Sequence, residues 1–475
     1  MMKKDRREFI KSSCKALGMV AAATQLRHFG AVSVLAQKAV ETAPEVEYKA
    51  LVCIFLSGGN DSNNIVIPNY DEGYNQYSAA RGGQGLAIPR ANLLPMTPPP
   101  SMGGQAYGFH PALPDLRNLF DQGKVAVTCN VGPLVRPITR AEYQSGSAPR
   151  PYQLFSHSDQ VEQFRTAIST FKSSTGWGGR LADRTVGLNP GAAISMITSI
   201  AGANVFNVGL NSQPLIVTAA PTPLNQVLTL TGFGTAADEV ARRAALDQIR
   251  TRDLDKTMIQ ATSVLTQQAV NVSQQLSQNP VLTVTFPTTT LGNQLAQVAK
   301  LMKFRTQLNM SRQIFFVQLG GFDTHTSQLA GQTNLWTQVN NALKAFYDET
   351  VAQGISSQVT TFTMSDFNRT FNPSGSGSGV GTDHAWGGHH FVMGGAVRGG
   401  DFYGRPTSNG TFFPTLVTNG PDDADIRGRF IPSTSVEQYA GTLSKWFGLS
   451  DADVPIAFPN AANFPVMDLG FMMPG

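Results

Sequence analysis

Charge is scarce in this 475-residue chain, with Asp, Glu, Lys and Arg together making up 14%. Cysteine is scarcer. The three present, Cys14, Cys53 and Cys129, are too few for a disulfide framework, and their spacing fits no zinc motif. Cys53 lies in an apolar run and reads as a small buried hydrophobe. No interior segment reaches the roughly 20 apolar residues that a membrane-spanning helix needs, which excludes a stable membrane span. Internal repeats are also lacking. What remains is a Gly-, Ser-, Thr- and Asn-rich chain, long enough to bury a large core in one big domain or two ordinary ones.

The formal net charge is +4, but residues 1–37 hold seven Lys/Arg against two Asp/Glu, leaving 29 basic and 30 acidic residues in the remainder. The basicity belongs to the N-terminus and gives no support to nucleic-acid binding. That N-terminus, Lys3-Lys4-Asp5-Arg6-Arg7-Glu8-Phe9-Ile10-Lys11, resembles the twin-arginine export signal. A small-residue stretch, Ala16 to Ala23, follows it, and Val34-Leu35-Ala36 offers a cleavage site. The expectation is a signal peptide over 1–37, the twin-arginine translocation machinery as a partner, and a periplasmic or extracellular location. Arg27 and His28 interrupt the apolar region, and the alternative is a cytosolic basic tail. Cys14 sits too early to be a lipid-attachment site.

Hydrophobic patterning predicts an α/β fold with a mostly parallel sheet. Tyr48–Leu56 is a short, nearly continuous apolar run, the signature of a strand buried on both faces. Val125–Gly132, Ile314–Leu319 and Gln358–Met364 read the same way. Helices are expected from His110 to Phe120, after Phe155-Ser156-His157 with Ser158 or Asp159 as cap, from Ala236 to about Gln278, from Leu291 to Leu308, and from Asn334 to Gln353. The strand–helix–strand orders around 48–132 and 314–364 suggest βαβ units. Residues 185–235 read as short strands or irregular structure. The expected organisation is one domain, 38–475, with an inserted, partly helical region at about 185–300.

Three acidic motifs each follow a buried strand and a turn: Asp61 in Ser57-Gly58-Gly59-Asn60-Asp61-Ser62, Asp323 in Gly320-Gly321-Phe322-Asp323-Thr324-His325, and Asp366 in Met364-Ser365-Asp366-Phe367-Asn368-Arg369. Close by in sequence comes Gly381-Thr382-Asp383-His384-Ala385-Trp386-Gly387-Gly388-His389-His390. Three carboxylates at one sheet edge repel unless a cation neutralises them, so the pattern predicts a divalent-metal site. The expected ligands are Asp61, Asp323, His325, Asp366 and His384, with Asp383 and His389 as helpers. Mixed oxygen and imidazole donors suit Zn, Mn or Fe, as one or two ions. Arg369 is positioned to clamp an anionic ester, and Ser62, Ser156 or Ser158 offers a nucleophile. Each residue also has a plainer role: Asp61 as a turn former, Asp323 as a helix cap with His325 on the surface, Asp366 as an ion-pair partner of Arg369. His389 and His390, adjacent in an extended strand, point apart, so at least one is structural. His110 reads as a packing or capping residue, and His157 is open to either role.

Taken together, FLSGGNDSNNIVIP, HPALPDL, VAVTCNVG, FSHSDQ, TGWGGRLAD, QLGGFDTHTSQ, TMSDFNRT and GTDHAWGGHHFVMGGAVRGGDFYG resemble the domain-of-unknown-function 1501 family over nearly the whole mature chain. That family is similar to the alkaline phosphatase and sulfatase superfamily. The resemblance implies a three-layer α/β/α sandwich with metals at the carboxyl edge of its sheet. It matches Asp61 to the first-strand metal aspartate, Asp323 and His325 to an Asp…His pair, Asp366 to the aspartate of an Asp-His step, and His384 to the late histidine. Three departures stand out: one residue separates Asp323 from His325 where three are usual, Phe367 replaces the Asp-His histidine, and Ser365-Asp366-Phe367-Asn368-Arg369 stands where Ser-Glu-Phe-Gly-Arg is typical. The function implied is an exported, metal-dependent hydrolase of small phosphate or sulfate esters. The alternatives are a non-catalytic exported binding or assembly protein that keeps a structural metal, and a metal site doing isomerase or phosphoryl-transfer chemistry.

Overall fold

The computed structural model describes residues 47–227, 235–252, 254–276 and 278–474; the segment expected to be an export signal, with Cys14, lies outside them. Lys49–Leu56 forms β1, buried at every position except Lys49. A strand apolar on both faces belongs at the centre of a sheet. β1 lies there, paired in parallel with β8 (Arg312–Leu319) on one side and β9 (Val359–Ser365) on the other. Beyond β9 comes β10 (Gly388–Gly394), antiparallel both to β9 and to its outer neighbour β5 (Val125–Gly132). Short strands finish the edges: β6 (Ile197–Ser199) and β7 (Leu215–Ile216) beyond β8, and β11 (Phe402–Tyr403) and β12 (Thr434–Ser435) beside β5. The described sheet has nine strands and is parallel except at β10. A small antiparallel sheet of β2 (Val66–Pro68), β3 (Leu94–Pro95) and β4 (Tyr107–Phe109) stands apart.

Alternation along β1 divides the core. Ala50, Val52, Ile54 and Leu56 pack into a cluster with α2 (Pro114–Asp121), α7 (Thr290–Lys303) and α8 (Gln328–Ala352). Leu51, Cys53 and Phe55 pack oppositely, with α3 (His157–Thr166), α4 (Trp177–Thr185) and α9 (Val436–Phe447). The result is the expected three-layer α/β/α sandwich. A further helix, α1 (Asp71–Arg81), follows β2, and the pair α5 (Ala237–Arg250) and α6 (Thr257–Gln275) occupies the region expected to be helical. No helix among the described residues is long and apolar enough to cross a membrane.

Two features differ from the sequence expectation. Neither expected βαβ unit joins neighbouring strands: β9 and β10, from far later in the chain, lie between β1 and β5, and β1 lies between β8 and β9. α8 begins six residues before Asn334: its first turns bury Gln328 and Gln332, and buried glutamines break the apolar periodicity that marks a helix. In the region at about 185–300, β6 and β7 extend the main sheet and α7 packs on β8.

Candidate metal centre

β9, β1 and β8 run side by side and end at one edge, so the turns that carry Asp366, Asp61 and Asp323 meet there. The turn after β1 binds them together. Gly58 takes φ +117°, and a Cβ on it would stand 2.3 Å from the Asp323 amide nitrogen, so only glycine lets the two turns lie this close. Its N–H donates to Asp366 Oδ1 at 3.0 Å, and its carbonyl accepts from Arg369 Nη1 at 3.3 Å.

The three carboxylates do not share one cation, as their convergence suggested. Asp61 is a correction to the expected ligand set. Both its oxygens accept from the Arg81 guanidinium, at 2.6 and 2.9 Å, and Oδ2 also accepts from Gln328 Nε2 at 2.7 Å. Arg81 and Asp61 are almost wholly buried, a closed ion pair. Asp366, 2% exposed, faces Gly58 with Oδ1 and the His157 ring with Oδ2, 2.7 Å from Nδ1. It stands behind a histidine rather than among the ligand atoms. Asp323 alone is open, its side chain 44% exposed, with Oδ1 accepting from Arg369 Nη1 at 2.7 Å.

Imidazoles gather around Asp323. The ligand atoms of His157, Asp323 and His384 all lie within 4.8 Å of one another. His157 Nε2 is 3.4 Å from Oδ2, and His384 Nε2 is 3.6 Å from Oδ1. His325 closes the group, its Nε2 3.0 Å from Oδ1 and 3.1 Å from His384 Nε2. Each ring has an oxygen at its other nitrogen: Asp366 Oδ2 at 2.7 Å from His157 Nδ1, the Phe155 carbonyl at 2.8 Å from His384 Nδ1, and Asp383 Oδ1 at 3.3 Å from His325 Nδ1. A carbonyl or carboxylate oxygen only accepts, so Nδ1 carries the proton in His157 and His384, and Nε2 is the bare nitrogen. His157 Nε2 is buried and has no hydrogen-bond partner. Phe367, at the position where a histidine was expected, instead packs on two of the rings, its centroid 4.7 Å from that of His157 and 4.7 Å from that of His384.

Electrostatics follow from these contacts. The hydrogen bond to Asp366 raises the His157 pKa above its ordinary value, against the opposing effect of burial. Burial lowers that of His384. Burial alone would raise the Asp323 carboxyl, but the hydrogen bond and charge of Arg369, with His157 and His325, hold it below the usual range. Asp383 is held low in the same way: burial is outweighed by Ser374 and Arg427.

Beside the group lies a cleft of about 400 Å³, lined by Ser57, Gly58, His157, Ser158, Val161, Gly321, Asp323 and Asp366. Two of the lining residues carry hydroxyls: Ser57, which follows β1, and Ser158, whose Oγ donates to Asp159 Oδ2 at 3.1 Å. The remaining expected site residues fall elsewhere. Ser62 is fully buried, with Oγ packed under Gly388, so it is no nucleophile for this cleft. Ser156 precedes α3 and donates to Asp159 Oδ2 at 2.6 Å; it is not among the lining residues. Arg369 is fully buried, and its nitrogens are committed to Asp323, the Gly58 carbonyl, and the hydroxyl and carbonyl of Thr382. That makes it a strut for Asp323 rather than a clamp for a substrate. His389 is buried away from the group, with Nδ1 accepting from the Asn130 N–H and the ring stacked on Phe413 at 4.5 Å. Burial pushes its pKa, and that of His390, down to about 3.

The sequence left His157 open, yet it is central. No spacing rule links it to residues more than 160 positions later; only its place in FSHSDQ, just before a helix, marks it.

Fold and site together define a mostly parallel α/β sandwich carrying an imidazole–carboxylate group at the carboxyl edge of its sheet. The profile of the family described as "Protein of unknown function (DUF1501)" matches residues 48–412, and the chain belongs to that family. No protein of curated function matches the sequence. Among solved structures, it is similar to the lipoteichoic acid synthase LtaP from Listeria monocytogenes, with 9% identity, 85% of this chain and 81% of that one covered, and a TM-score of 0.31. It is also similar to a protein in the alkaline phosphatase superfamily from Vibrio parahaemolyticus, with 8% identity, 90% and 78% covered, and a TM-score of 0.27. A third is PsFucS1 sulfatase from Pseudoalteromonas sp., with 11% identity, 85% and 72% covered, and a TM-score of 0.28. Likeness this slight says nothing about the site, whose chemistry rests on this chain's own residues.

Proposed function

We propose that the protein is a metal-dependent hydrolase of small phosphate or sulfate esters, with a divalent ion held by His157, Asp323, His325 and His384. The observation that carries this reading is the set of histidines each backed by an oxygen at Nδ1 and aimed by Nε2 at one carboxylate. Asp323 lies 3.0 to 3.6 Å from a nitrogen of each ring, near the ~3.3 Å spacing of donors around a tetrahedral ion with zinc-like bonds. His157, Asp323 and His384 form the mutually close group, within 4.8 Å, and His325 joins it through Asp323 and His384. Three imidazoles and a carboxylate favour Zn, with Mn or Fe as alternatives.

When bound, the ion would supply Lewis acidity at an ester oxygen. This chain's residues do the rest. Asp366 and the Phe155 carbonyl hold the Nδ1 protons of His157 and His384. Arg369 fixes Asp323. Ser57 and Ser158 offer hydroxyls to a substrate in the cleft, and Asp159 stands as a proton acceptor for Ser158. From the N-terminal sequence we further propose export by the twin-arginine route, to the periplasm or beyond, as a single domain with an insertion at about 185–300.

One observation favours the second reading, a non-catalytic binding or assembly protein with a structural metal: among the described residues, no Lys or Arg lines the cleft. Elemental analysis of the purified protein and of His384→Ala, with turnover of aryl phosphate and aryl sulfate in added Zn²⁺ or Mn²⁺, separates the two. Stoichiometric metal lost in the variant, together with ester hydrolysis, is the expected outcome. Metal without turnover sinks the hydrolase, and metal unchanged in His384→Ala sinks the site.

A further inference from the structure

The chain approaches α3 through strained backbone: Gln153 takes φ +45° and Phe155 φ +69°, left-handed values that bulky side chains disfavour. The strain has a geometric consequence. It turns the Phe155 carbonyl onto His384, 2.8 Å from Nδ1, where the oxygen can only accept. Three contacts hold the turn. The Phe155 N–H donates to Oε1 of Gln160, a fully buried residue in the first turn of α3. The Arg429 guanidinium lies 4.2 Å from the Phe155 ring centroid and donates through Nε to the His384 carbonyl at 2.8 Å. Ser156, the residue at the helix cap, makes no capping bond to the helix backbone. Its Oγ donates to Asp159 and Gln163 Nε2 donates to the Tyr152 carbonyl, while Gln160 is the helix side chain that holds Phe155 itself.

We infer that Gln160 is a positioning residue for this centre, holding Phe155 in the left-handed turn whose carbonyl fixes His384 as its Nδ1–H tautomer, with Nε2 bare towards Asp323. The ion itself rests on the function proposed above, whereas the tautomer belongs to the metal-free protein and can be read without it. A carbonyl acceptor at Nδ1 does for His384 what a carboxylate does for His157, and such partners set both ring orientation and ligand basicity.

The test is long-range ¹⁵N–¹H correlation of histidine ring nitrogens in the metal-free, full-length protein, with His384 assigned from its loss in His384→Ala. Wild type is expected to show the Nδ1–H form. Gln160→Leu should lose that form and weaken zinc binding, measured by competition with a chelator, by about 10- to 100-fold. Gln160→Glu, which keeps an acceptor oxygen at the same atom, should restore the tautomer and most of the affinity. An Nε2–H tautomer in wild type overturns the inference without any variant, and so does an unchanged tautomer in folded Gln160→Leu. If the tautomer follows Gln160 while no form of the protein binds zinc, the positioning role stands and the metal reading falls.

Discussion

Asp61 and Asp323 follow adjacent strands, reach the same edge of the sheet, and each meets an arginine. The resemblance ends with the lone pairs. Asp61 is 1% exposed, its oxygens taken by two N–H groups of Arg81 and one of Gln328. Arg81 is itself saturated, by Asn64 Oδ1 at 2.7 Å and the carbonyls of Phe371 and Thr370 at 3.0 and 3.1 Å. Asp323 gives one oxygen to Arg369 and still turns both towards imidazoles. A strand end brings a carboxylate to the ligand-binding edge; what other groups leave unclaimed decides whether it can bind an ion.

The contrast is broken most directly at Arg81. In Arg81→Ala the buried Asp61 loses its counter-charge, a change that costs about 3–5 kcal/mol of stability. Guanidinium unfolding should show the loss, and an unaltered midpoint would mean that Asp61 is already compensated by something else. Asp323→Asn keeps an oxygen for Arg369 but removes the charge facing the histidines. It should lower zinc affinity by about 100-fold or more, roughly 3 kcal/mol, while unfolding in chelator shifts far less than in Arg81→Ala. Equal effects of the two variants on stability would erase the distinction between a closed pair and an open ligand.

Much of this was legible before the structure. Apolar runs ending in glycine turns located β1, β8 and β9, and with them the edge where Asp61, Asp323 and Asp366 meet. Asp323, His325 and His384 stood out because they cluster in sequence. The partners did not. Arg81 lies in a helix whose sequence, DEGYNQYSAAR, is mostly polar, and nothing local says that its last residue is buried against a turn twenty positions earlier. His157 opens a helix, whereas Asp323 and His325 follow β8 and His384 precedes β10, so only tertiary packing joins it to them. The direction of β10 was equally hidden, since its pattern of burial reads the same either way along the sheet.

Another buried carboxylate sharpens the rule. Glu437 in α9 is 1% exposed, its Oε2 has no hydrogen-bond partner, and Arg180 directs its N–H groups to Thr166, Thr175 and Ala457 instead. Burial pushes its pKa up to about 7, against weaker opposing contacts with Asn460, Ser435 and Arg180. The unfolded chain binds this proton less tightly than the folded one does. Burial of Glu437 is therefore harmless below the unfolded pKa and costs increasing stability as pH rises through the folded value. Glu437→Gln removes that cost. Its advantage over wild type in urea unfolding should be small at pH 5 and grow by roughly 2 kcal/mol by pH 8. A constant difference across that range would place a cation against the carboxylate.

The smallest effect is expected at His389, where the same logic applies to a histidine. Its Nδ1 accepts from the Asn130 N–H at 3.2 Å, so the neutral ring is the form that fits, and the ring is sandwiched in the core against Phe413. His384, five residues earlier, has its Nδ1 satisfied by a carbonyl and its Nε2 directed at Asp323. In His389→Phe the Asn130 N–H loses its acceptor, which costs about 1–3 kcal/mol at a buried donor, partly offset by the added aromatic packing. The metal content should not change at all. Zinc stoichiometry in this variant, set beside its complete loss in His384→Ala, asks whether two histidines of one short motif belong to different machinery. A fall in bound zinc in His389→Phe that its unfolding curve does not explain would return His389 to the site.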